Sequence, residues 1–284
     1  MQRAERRPGG PAHNRYAWAI AALGLTASAG ALAQSCRAVS PPYTVAVVEL
    51  YTSQGCSSCP PADKWLSKLH TESPLRAIPL ALHVGYWDYI GWKDPFARHE
   101  FNDRQRLLVG RHGTAYTPEV FVSGAELDSW GQRDSFGAAV DTINARAPRA
   151  HIDLQANWLP PAAGDTRHRR LAVHANWASE SGGADPQLLL AVKRSGYVTD
   201  VRSGENGGSQ LHNDHVVRAW EGPFSPRGRP LQVEIAVPAD PGDATLVAIA
   251  QDAGTGAVLQ AVELGLASCD SAADVPPQAA APPK

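Results

Sequence analysis

Val45-Ala-Val-Val-Glu-Leu-Tyr51 and Thr52-Ser-Gln-Gly-Cys56-Ser-Ser-Cys59-Pro-Pro-Ala-Asp63 form the stretch that decides how this chain is interpreted. The first part is a short apolar run rich in β-branched residues, which predicts a buried strand. The second part contains turn-forming residues and a Cys-x-x-Cys pair. In Lys64-Trp-Leu-Ser-Lys-Leu-His70, which follows, Trp65 and Leu69 recur at helical spacing. We therefore predict a strand, a cysteine pair and a helix in that order.

This order is typical of a thioredoxin-type redox motif. Cys56 precedes the helix, so its sulfur is expected to lie over unpaired N–H groups at the positive end of the helix dipole and to act as the nucleophile. Cys59, one turn further on, is expected to be the resolving thiol. Two alternatives remain open: a zinc site, for which one close cysteine pair supplies too few ligands, and a purely structural disulfide.

Glu49 lies in the otherwise apolar strand, seven residues before Cys56. Thioredoxins keep a buried acid near this place, and we predict that Glu49 relays the proton of Cys59. The alternative is that Glu49 faces solvent or caps a neighbouring backbone group.

Thr117-Pro118 precedes another short β run, Glu119-Val-Phe-Val122. X-Pro bonds are the peptide bonds that adopt the cis form at low cost, and we predict a cis proline facing the dithiol. Thr117 would then offer backbone groups to a bound extended peptide. Trp87, in the aromatic segment 85–95, is predicted to line the substrate groove; the alternative is that these aromatic side chains only pack the loop onto the sheet.

Further elements complete this region. Residues 75–84 predict a second buried strand, and helices are predicted from about Pro95 to Val109, with Asp94 as N-cap, and from Ser129 to Ala147. The predicted fold of residues 43–148 is therefore an α/β thioredoxin-like domain.

Three longer motifs carry a more specific resemblance: residues 49–63, residues 82–96 (Leu-His-Val-Gly-Tyr-Trp-Asp-Tyr-Ile-Gly-Trp-Lys-Asp-Pro-Phe) and Tyr116-Thr-Pro118. With them the chain resembles the secreted, thioredoxin-like family labelled domain of unknown function 1223. The resemblance implies a thioredoxin-like fold and a redox site at the dithiol, without an established substrate.

From His151 onward, apolar residues alternate with polar ones in several short segments, and Asp252-Ala-Gly-Thr-Gly256 is a hairpin signal. This pattern predicts an all-β sandwich-like domain over residues 151–268. The segment 204–218 contains Glu205, His212, Asp214 and His215, which suggest a metal site; the favoured interpretation is an ordered loop that docks near the first domain.

The two ends of the chain differ from the rest. Four arginines precede an apolar run, residues 17–32, that ends at Ala31-Leu-Ala33, the pattern of a secretory signal peptide over residues 1–33. A membrane anchor is the alternative, although the run is short. Disulfides persist in an oxidising compartment, and we predict the bridges Cys56–Cys59 and Cys36–Cys269. Residues 271–284, rich in Ala and Pro, are predicted to be disordered.

Together these features predict an exported thioredoxin-like thiol-disulfide oxidoreductase, periplasmic or secreted, that acts on protein substrates. Its predicted catalytic residues are Cys56, Cys59 and Glu49, and its substrate-binding residues are Thr117, Pro118 and Trp87. Protein thiols or disulfides and a redox partner protein are the expected partners. The formal net charge of −2 does not favour nucleic acid, and no cofactor, metal or stable membrane insertion is expected. The alternative is a non-enzymatic secreted binding protein with a structural Cys56–Cys59 disulfide.

Overall fold

The computed structural model describes residues 36–69, 77–110, 113–160, 162–180, 185–226, 228–240 and 242–270. The predicted signal peptide and the predicted disordered tail lie outside these ranges. Within them, three α-helices and fourteen β-strands are formed. No helix in these ranges has the length and apolar composition needed to cross a lipid bilayer.

The elements of the first half of the chain are β1 (Arg37–Val39), β2 (Ala46–Thr52), α1 (Pro60–Lys68), β3 (Ala77–His83), α2 (His99–Val109), β4 (Glu119–Val122), β5 (Ala125–Glu126) and α3 (Arg133–Asn144). Those of the second half are β6 (Ala150–Trp158), β7 (His168–Ser179), β8 (Pro186–Arg194), β9 (Tyr197–Asp200), β10 (Gln210–Asn213), β11 (Val216–Phe224), β12 (Leu231–Pro238), β13 (Ala244–Asp252) and β14 (Val258–Gly265).

The predicted fold class is wrong: the structure is not an α/β thioredoxin-like domain followed by an all-β sandwich-like domain. One mixed sheet of eight strands, in the order β14-β13-β8-β11-β3-β2-β4-β5, combines strands from both halves of the chain. The two halves meet where β11 pairs in parallel with β3, at Val216 and Ala81. The Ala81 N–H donates to the His215 carbonyl oxygen at 2.9 Å. The described chain is therefore mostly β-sheet.

The eight-stranded sheet curls, so that its first and last parts pack against each other. The Val258 N–H, in edge strand β14, donates to the carbonyl oxygen of Ser123, just after β4, at 3.3 Å. Inside the curl lies a core to which β2, β3, β8 and β13 contribute alternate residues together with Phe101 of α2. On the outer face, α1 and α3 cover β2, β3 and β4, and a four-stranded antiparallel sheet, β1-β6-β7-β12, covers β8 and β13.

The strand β8 explains why the two-domain prediction failed. Leu188, Leu190 and Val192 pack toward the four-stranded sheet, whereas Leu189 and Ala191 pack into the core inside the curl. An apolar run with no polar positions is typical of a strand that is buried on both faces. Such a strand lies between two layers, whereas the strands of an isolated sandwich each expose one face.

The predicted helix at residues 95–109 begins later than expected. It starts at His99, because the carboxylate of Asp94 does not cap a helix and instead organises the preceding loop. The Asp94 Oδ1 atom accepts the Phe96 N–H at 2.8 Å, and the Asp94 Oδ2 atom accepts the Gln54 N–H at 2.7 Å. The helix predicted from Ser129 to Ala147 is shorter as well, and spans Arg133–Asn144.

A buried ion pair connects the two halves through the core. Both oxygens of Glu49, on β2, accept from the guanidinium of Arg104, on α2, at 2.5 and 2.7 Å. Arg104 also donates to the side-chain oxygen of Gln251, on β13, at 2.9 Å, and its guanidinium lies 5.0 Å from the ring centre of Trp220, on β11. The hydroxyl of Tyr51 donates to Glu49 at 2.9 Å. One charged pair thus ties four elements together.

A disulfide closes the chain into a loop. Cys36, directly before β1, is bonded to Cys269, which follows β14. The two cysteines are 233 residues apart in the sequence. The β1 strand pairs with β6, so the start of the described chain belongs to the four-stranded sheet. Both predicted disulfides are therefore present in the structure.

We expect Arg104→Met to lower the free energy of unfolding by about 3 to 5 kcal/mol, because it leaves the Glu49 carboxylate buried without a partner. Denaturant unfolding followed by circular dichroism measures the loss. The exposed pair between Arg170 and Glu234 is the control, and Arg170→Met should cost less than about 1 kcal/mol. The double variant Glu49→Leu/Arg104→Met should recover much of the stability, and equal losses for the two arginine variants would contradict the assignment.

Candidate functional site

The cysteine pair lies between the end of β2 and the start of α1. Cys56 and Cys59 form a disulfide, and Cys59 is the N-cap residue of α1. A tight turn leads into it: the Cys56 N–H donates to the Ser53 carbonyl oxygen at 3.1 Å, and the Ser53 hydroxyl accepts the Gly55 N–H at 3.0 Å. The strand–cysteine–helix order expected from the sequence is formed at this point.

The Thr117–Pro118 peptide bond is cis and lies beside the disulfide. The Thr117 carbonyl oxygen is 3.8 Å from Cys56 Sγ, and it also accepts the Ser58 hydroxyl at 3.4 Å. The Ser58 hydroxyl oxygen is in turn 3.3 Å from Cys56 Sγ. The structure therefore brings together three sequence-predicted site residues, Cys56, Thr117 and Pro118, with Ser58 bridging them.

Trp87 belongs to the same site. Its indole N–H donates to the Thr117 hydroxyl at 2.7 Å, and its Cβ lies 3.3 Å from where a side chain on Gly55 would begin. A larger residue at position 55 would push against this tryptophan. Trp87 thus fixes Thr117 and the turn before Cys56, whatever it does toward a substrate.

The N-terminus of α1 does not offer the unpaired N–H groups that the sequence suggested. Its first two residues, Pro60 and Pro61, have no N–H, and the N–H groups of Ala62 and Asp63 both donate to the Cys59 carbonyl oxygen. The N–H of Ser57, next to Cys56, donates to Glu205 Oε2 at 3.0 Å. This bond holds the pKa of the exposed Glu205 carboxyl below its usual value.

Glu205 belongs to a loop of the second half of the chain, residues 201–209, that connects β9 to β10. In this 201–209 loop, the Asn206 amide donates to the carbonyl oxygens of Gln54 and Cys56, both at 2.9 Å. Of the segment 204–218, which was expected to be an ordered loop, residues 204–209 are loop and dock on the cysteine turn, whereas Gln210–Asn213 form β10 and Val216 begins β11. The reason is the joined sheet, which brings β11 and the neighbouring hairpin beside β3.

Both sulfur-bearing residues are buried. Cys56 is 1 % exposed and Cys59 is fully buried, while Ser57 and Ser58 between them are exposed. An attacking thiol therefore cannot reach either sulfur without a local movement of the surrounding chain.

A cluster of polar side chains is buried next to the disulfide, on the face of the sheet that carries α1. Its members are Thr52 at the end of β2, Asp63 in the first turn of α1, His83 at the end of β3 and Asp94. His83 Nδ1 and Asp94 Oδ2 are 2.7 Å apart. The remaining atoms His83 Nε2, Asp63 Oδ1 and Thr52 Oγ1 are buried and make no hydrogen bond of normal geometry among the described residues, although the Thr52 hydroxyl is near enough to Asp63 to act on its pKa. Unsatisfied buried polar atoms are rare and commonly mark chemical roles.

Burial and charge shift the pKa values within this cluster. Burial raises the pKa of Asp63 to about 6, against the opposing effects of His83 and the Thr52 hydroxyl. Burial alone would lower the pKa of His83, but the carboxylates of Asp94 and Asp63 outweigh it and raise that pKa. Burial likewise opposes ionisation of Asp94, yet His83 holds the pKa of Asp94 below its usual value. The cluster thus contains an acid that titrates close to neutral pH.

The structure does not bring Glu49 to the disulfide. Along β2, Val47 and Tyr51 face the core inside the curl, as Glu49 does, whereas Val48 and Leu50 face α1. Both Glu49 oxygens are bound by Arg104 on the side away from α1. The sequence reasoning missed Asp63, although it lies four residues after Cys59, a spacing that places it one helical turn beyond that cysteine.

A surface groove opens beside the cluster. It has a volume of about 350 Å³ and runs between α1 and β10. It is lined by Pro60, Asp63, Lys64, Ser67, Gln210, Leu211, His212 and Asp214. Asp63 therefore lies between the buried polar cluster and a groove that solvent can enter.

The metal site considered for the second half is not assembled. Glu205 binds Ser57, and Asp214 accepts the Gly196 N–H at 2.8 Å. Across the described ranges, no three His, Cys, Asp or Glu side chains are grouped so that they could hold a metal ion.

Comparison with family models identifies a family, and comparison with solved structures identifies proteins of similar fold. A family model described as "Protein of unknown function (DUF1223)" matches residues 47–251. A crystal structure of a protein from Agrobacterium tumefaciens is similar, with a TM-score of 0.52, 24% identity, and coverage of 78% of this chain and 94% of that one. The structure of HBP35 of Porphyromonas gingivalis is similar as well, with a TM-score of 0.57, 13% identity, and coverage of 86% of this chain and 81% of that one. At these identities the likeness concerns the fold alone. No curated protein matches the sequence.

We expect Asp63→Asn to remove a pH dependence of stability. The raised pKa means that the folded state binds the Asp63 proton more tightly than the unfolded chain does, so this group's contribution is full below about pH 4 and is lost as the pH rises to about 6. The variant should therefore gain stability relative to the wild type by up to about 3 kcal/mol between pH 4 and pH 7. Thermal unfolding across this range measures the difference, with the exposed Asp141→Asn as control. A difference that stays constant with pH would contradict the burial argument.

Proposed function

The chain belongs to the DUF1223 family, whose description assigns no activity, and we propose that it is an exported thiol-disulfide oxidoreductase that acts on protein thiols or disulfides. Cys56 is the nucleophile in this proposal and Cys59 the resolving thiol. A separate redox protein regenerates the starting state of the pair.

The contact between the disulfide and the cis peptide carries this proposal. The carbonyl oxygen of Thr117 lies 3.8 Å from Cys56 Sγ, and Pro118 in the cis form holds it there. A backbone group this close to the reactive sulfur is suited to align an extended peptide, because a peptide bound along residue 117 has its own sulfur near Cys56. A disulfide with a purely structural role has no need of this arrangement.

The reaction is a pair of thiol-disulfide exchanges. In the oxidising direction, a substrate thiolate attacks Cys56 Sγ, the Cys56–Cys59 bond breaks, and Cys59 leaves as a thiolate that takes up a proton. A second substrate thiolate then attacks the mixed disulfide and displaces Cys56. The substrate loses two electrons and two protons overall, and the cysteine pair gains them. The reducing direction is the reverse.

Asp63 is the best placed group to exchange the Cys59 proton. It lies one helical turn after Cys59, one of its oxygens is buried without a partner, and the groove beside it gives access to solvent. A pKa of about 6 suits proton transfer near neutral pH. Glu49 was the expected relay, but its two oxygens are occupied by Arg104, and we assign the role to Asp63 instead.

Export is proposed from the N-terminal sequence. Residues 1–33 have the charged, apolar and small-residue segments of a cleaved signal. An oxidising compartment outside the cytoplasm is where the Cys36–Cys269 bridge would persist.

The burial of both sulfurs favours a second candidate, a secreted binding protein in which Cys56–Cys59 only braces the start of α1. A buried disulfide is protected from exchange, which is an advantage for a structural bond. The two candidates differ in the reactivity of the bond.

Substitution of each cysteine distinguishes the candidates. We expect Cys59→Ser to accumulate a mixed disulfide between Cys56 and a scrambled or reduced test protein, because the resolving thiol is gone. We expect Cys56→Ser to lower the rate of exchange by on the order of a hundredfold or more, since the nucleophile is lost. Non-reducing electrophoresis and a refolding assay measure the two effects. The double variant Cys36→Ser/Cys269→Ser is the control and should retain the exchange activity.

A structural disulfide predicts the opposite results. The redox proposal is rejected if Cys59→Ser forms no mixed disulfide and the potential of Cys56–Cys59 lies well below about −300 mV.

A further inference from the structure

The 201–209 loop has the construction of a compact flap. Its ends are held together by hydrogen bonds between Val201 and Ser209 and between Gly208 and Val201, at 2.9 and 2.8 Å. Only Val201 and Asn206 of this loop are buried, and the other residues are exposed. It therefore adds little apolar packing to the core, and segments of this kind open at a low free-energy cost.

Few contacts hold the flap against the cysteine turn. Asn206 donates to the carbonyl oxygens of Gln54 and Cys56, and Glu205 accepts the Ser57 N–H. At the rim, the Ser203 hydroxyl donates to the Gly91 carbonyl oxygen at 2.5 Å. Two of these contacts go to Cys56 itself or to the residue that follows it, so the state of that cysteine bears directly on the flap.

We propose that the 201–209 loop is a gate on the Cys56–Cys59 disulfide, held closed by Glu205 and Asn206 in the oxidised protein and released when the disulfide is reduced. The gate regulates the site described above, and its biological meaning rests on the proposed oxidoreductase function. The physical coupling between cysteine state and loop does not depend on any substrate.

The coupling arises from charge. In the oxidised protein the sulfurs are neutral, and the Ser57 N–H has the Glu205 carboxylate as its acceptor. Reduction by dithiothreitol breaks the S–S bond, transfers two electrons and two hydrogens to the cysteine pair, and oxidises the reagent to its cyclic disulfide. When the Cys56 thiol then releases its proton to solvent, the thiolate places a second negative charge beside the same N–H, and it repels the Glu205 carboxylate. The contact that closes the gate is weakened.

The gate binds the backbone of a cysteine that is itself buried. Cys56 is 1 % exposed, so a thiol that attacks it must first displace the covering segments. Loss of the Glu205 contact should make this displacement more frequent, and reduction of the disulfide should then be faster.

Hydrogen exchange measures the release directly. Peptides that span residues 201–209 should exchange about threefold to tenfold faster in the dithiothreitol-reduced protein than in the oxidised protein, as the loss of one hydrogen bond implies. Strands β6 and β7 are the internal reference and should not change. Alkylation and mass analysis must show that Cys36–Cys269 remains intact.

The rate at which dithiothreitol reduces the Cys56–Cys59 disulfide distinguishes a gate from a simple effect of the Glu205 charge. Glu205→Ala removes both the charge and the acceptor, and it should speed reduction by dithiothreitol by about threefold to tenfold. Glu205→Gln removes the charge but keeps an acceptor, and it should give an intermediate rate. Asp200→Ala, an exposed carboxylate on the same hairpin, is the control and should react at the wild-type rate.

Each contrary result has a definite meaning. Equal exchange of residues 201–209 in the two redox states overturns the gate, as does a wild-type rate for Glu205→Ala. Equal acceleration by the Gln and Ala variants without faster loop exchange also overturns it, because Glu205 would then act on the reagent through charge alone. A gate that opens on reduction in a protein without exchange activity would instead reject the proposed function.

Discussion

A carboxylate that is removed from water must be neutralised, and Glu49 is fully buried, facing the core inside the curl of the eight-stranded sheet. Its partner Arg104 comes from α2, and Arg104 also donates to Gln251, far along the chain on β13. The pair is complete only when β2, α2 and β13 are all in place. Glu49 and Arg104 come from the first half of the chain and Gln251 from the second, so both halves contribute to this buried polar group.

The same dependence extends to the cysteine pair. Cys56, Cys59, Trp87 and Thr117 come from the first half of the chain, but Glu205 and Asn206, which also bind the backbone of the cysteine turn, come from the second. Gln54 makes this clear, because its side-chain amide donates to Thr199 and to Asn213, and its carbonyl oxygen accepts from Asn206. The second half is thus part of the site, not a spacer beside it. A fold alone assigns no function, and the chemical argument rests on these particular groups.

The local parts of the structure could be predicted from the sequence, and the assembly could not. Strand β2, the cysteine pair and the start of α1 follow from residues that are neighbours in the chain, and the cis form of Pro118 follows from its position before a short strand. The joining of β11 to β3 depends on residues separated by more than a hundred positions, for which a single sequence holds no pairing signal. The one available hint was the unbroken apolar run Leu188–Val192, which indicates burial on two faces.

The acidic residues Glu49 and Asp63 show a second limit of prediction from the sequence. Glu49 stands out in the sequence because a charge in an apolar strand is unusual. Its partner Arg104 lies on a helix, and the sequence does not reveal which side of that helix faces β2. Asp63 does not stand out, because an acidic residue in the first turn of a helix is common and is explained by the helix dipole. Its neighbours include His83 and residues of β10, which are distant in the chain.

The Cys36–Cys269 bridge has a mechanical consequence. Tension applied on either side of Cys36 and Cys269 passes through the covalent S–S bond, because the two cysteines lie near the first and last of the described residues. The strands between them then carry no load, and pulling on the termini cannot unzip either sheet while the bond is intact. Tension between the two ends reaches these strands only after this one bond is reduced.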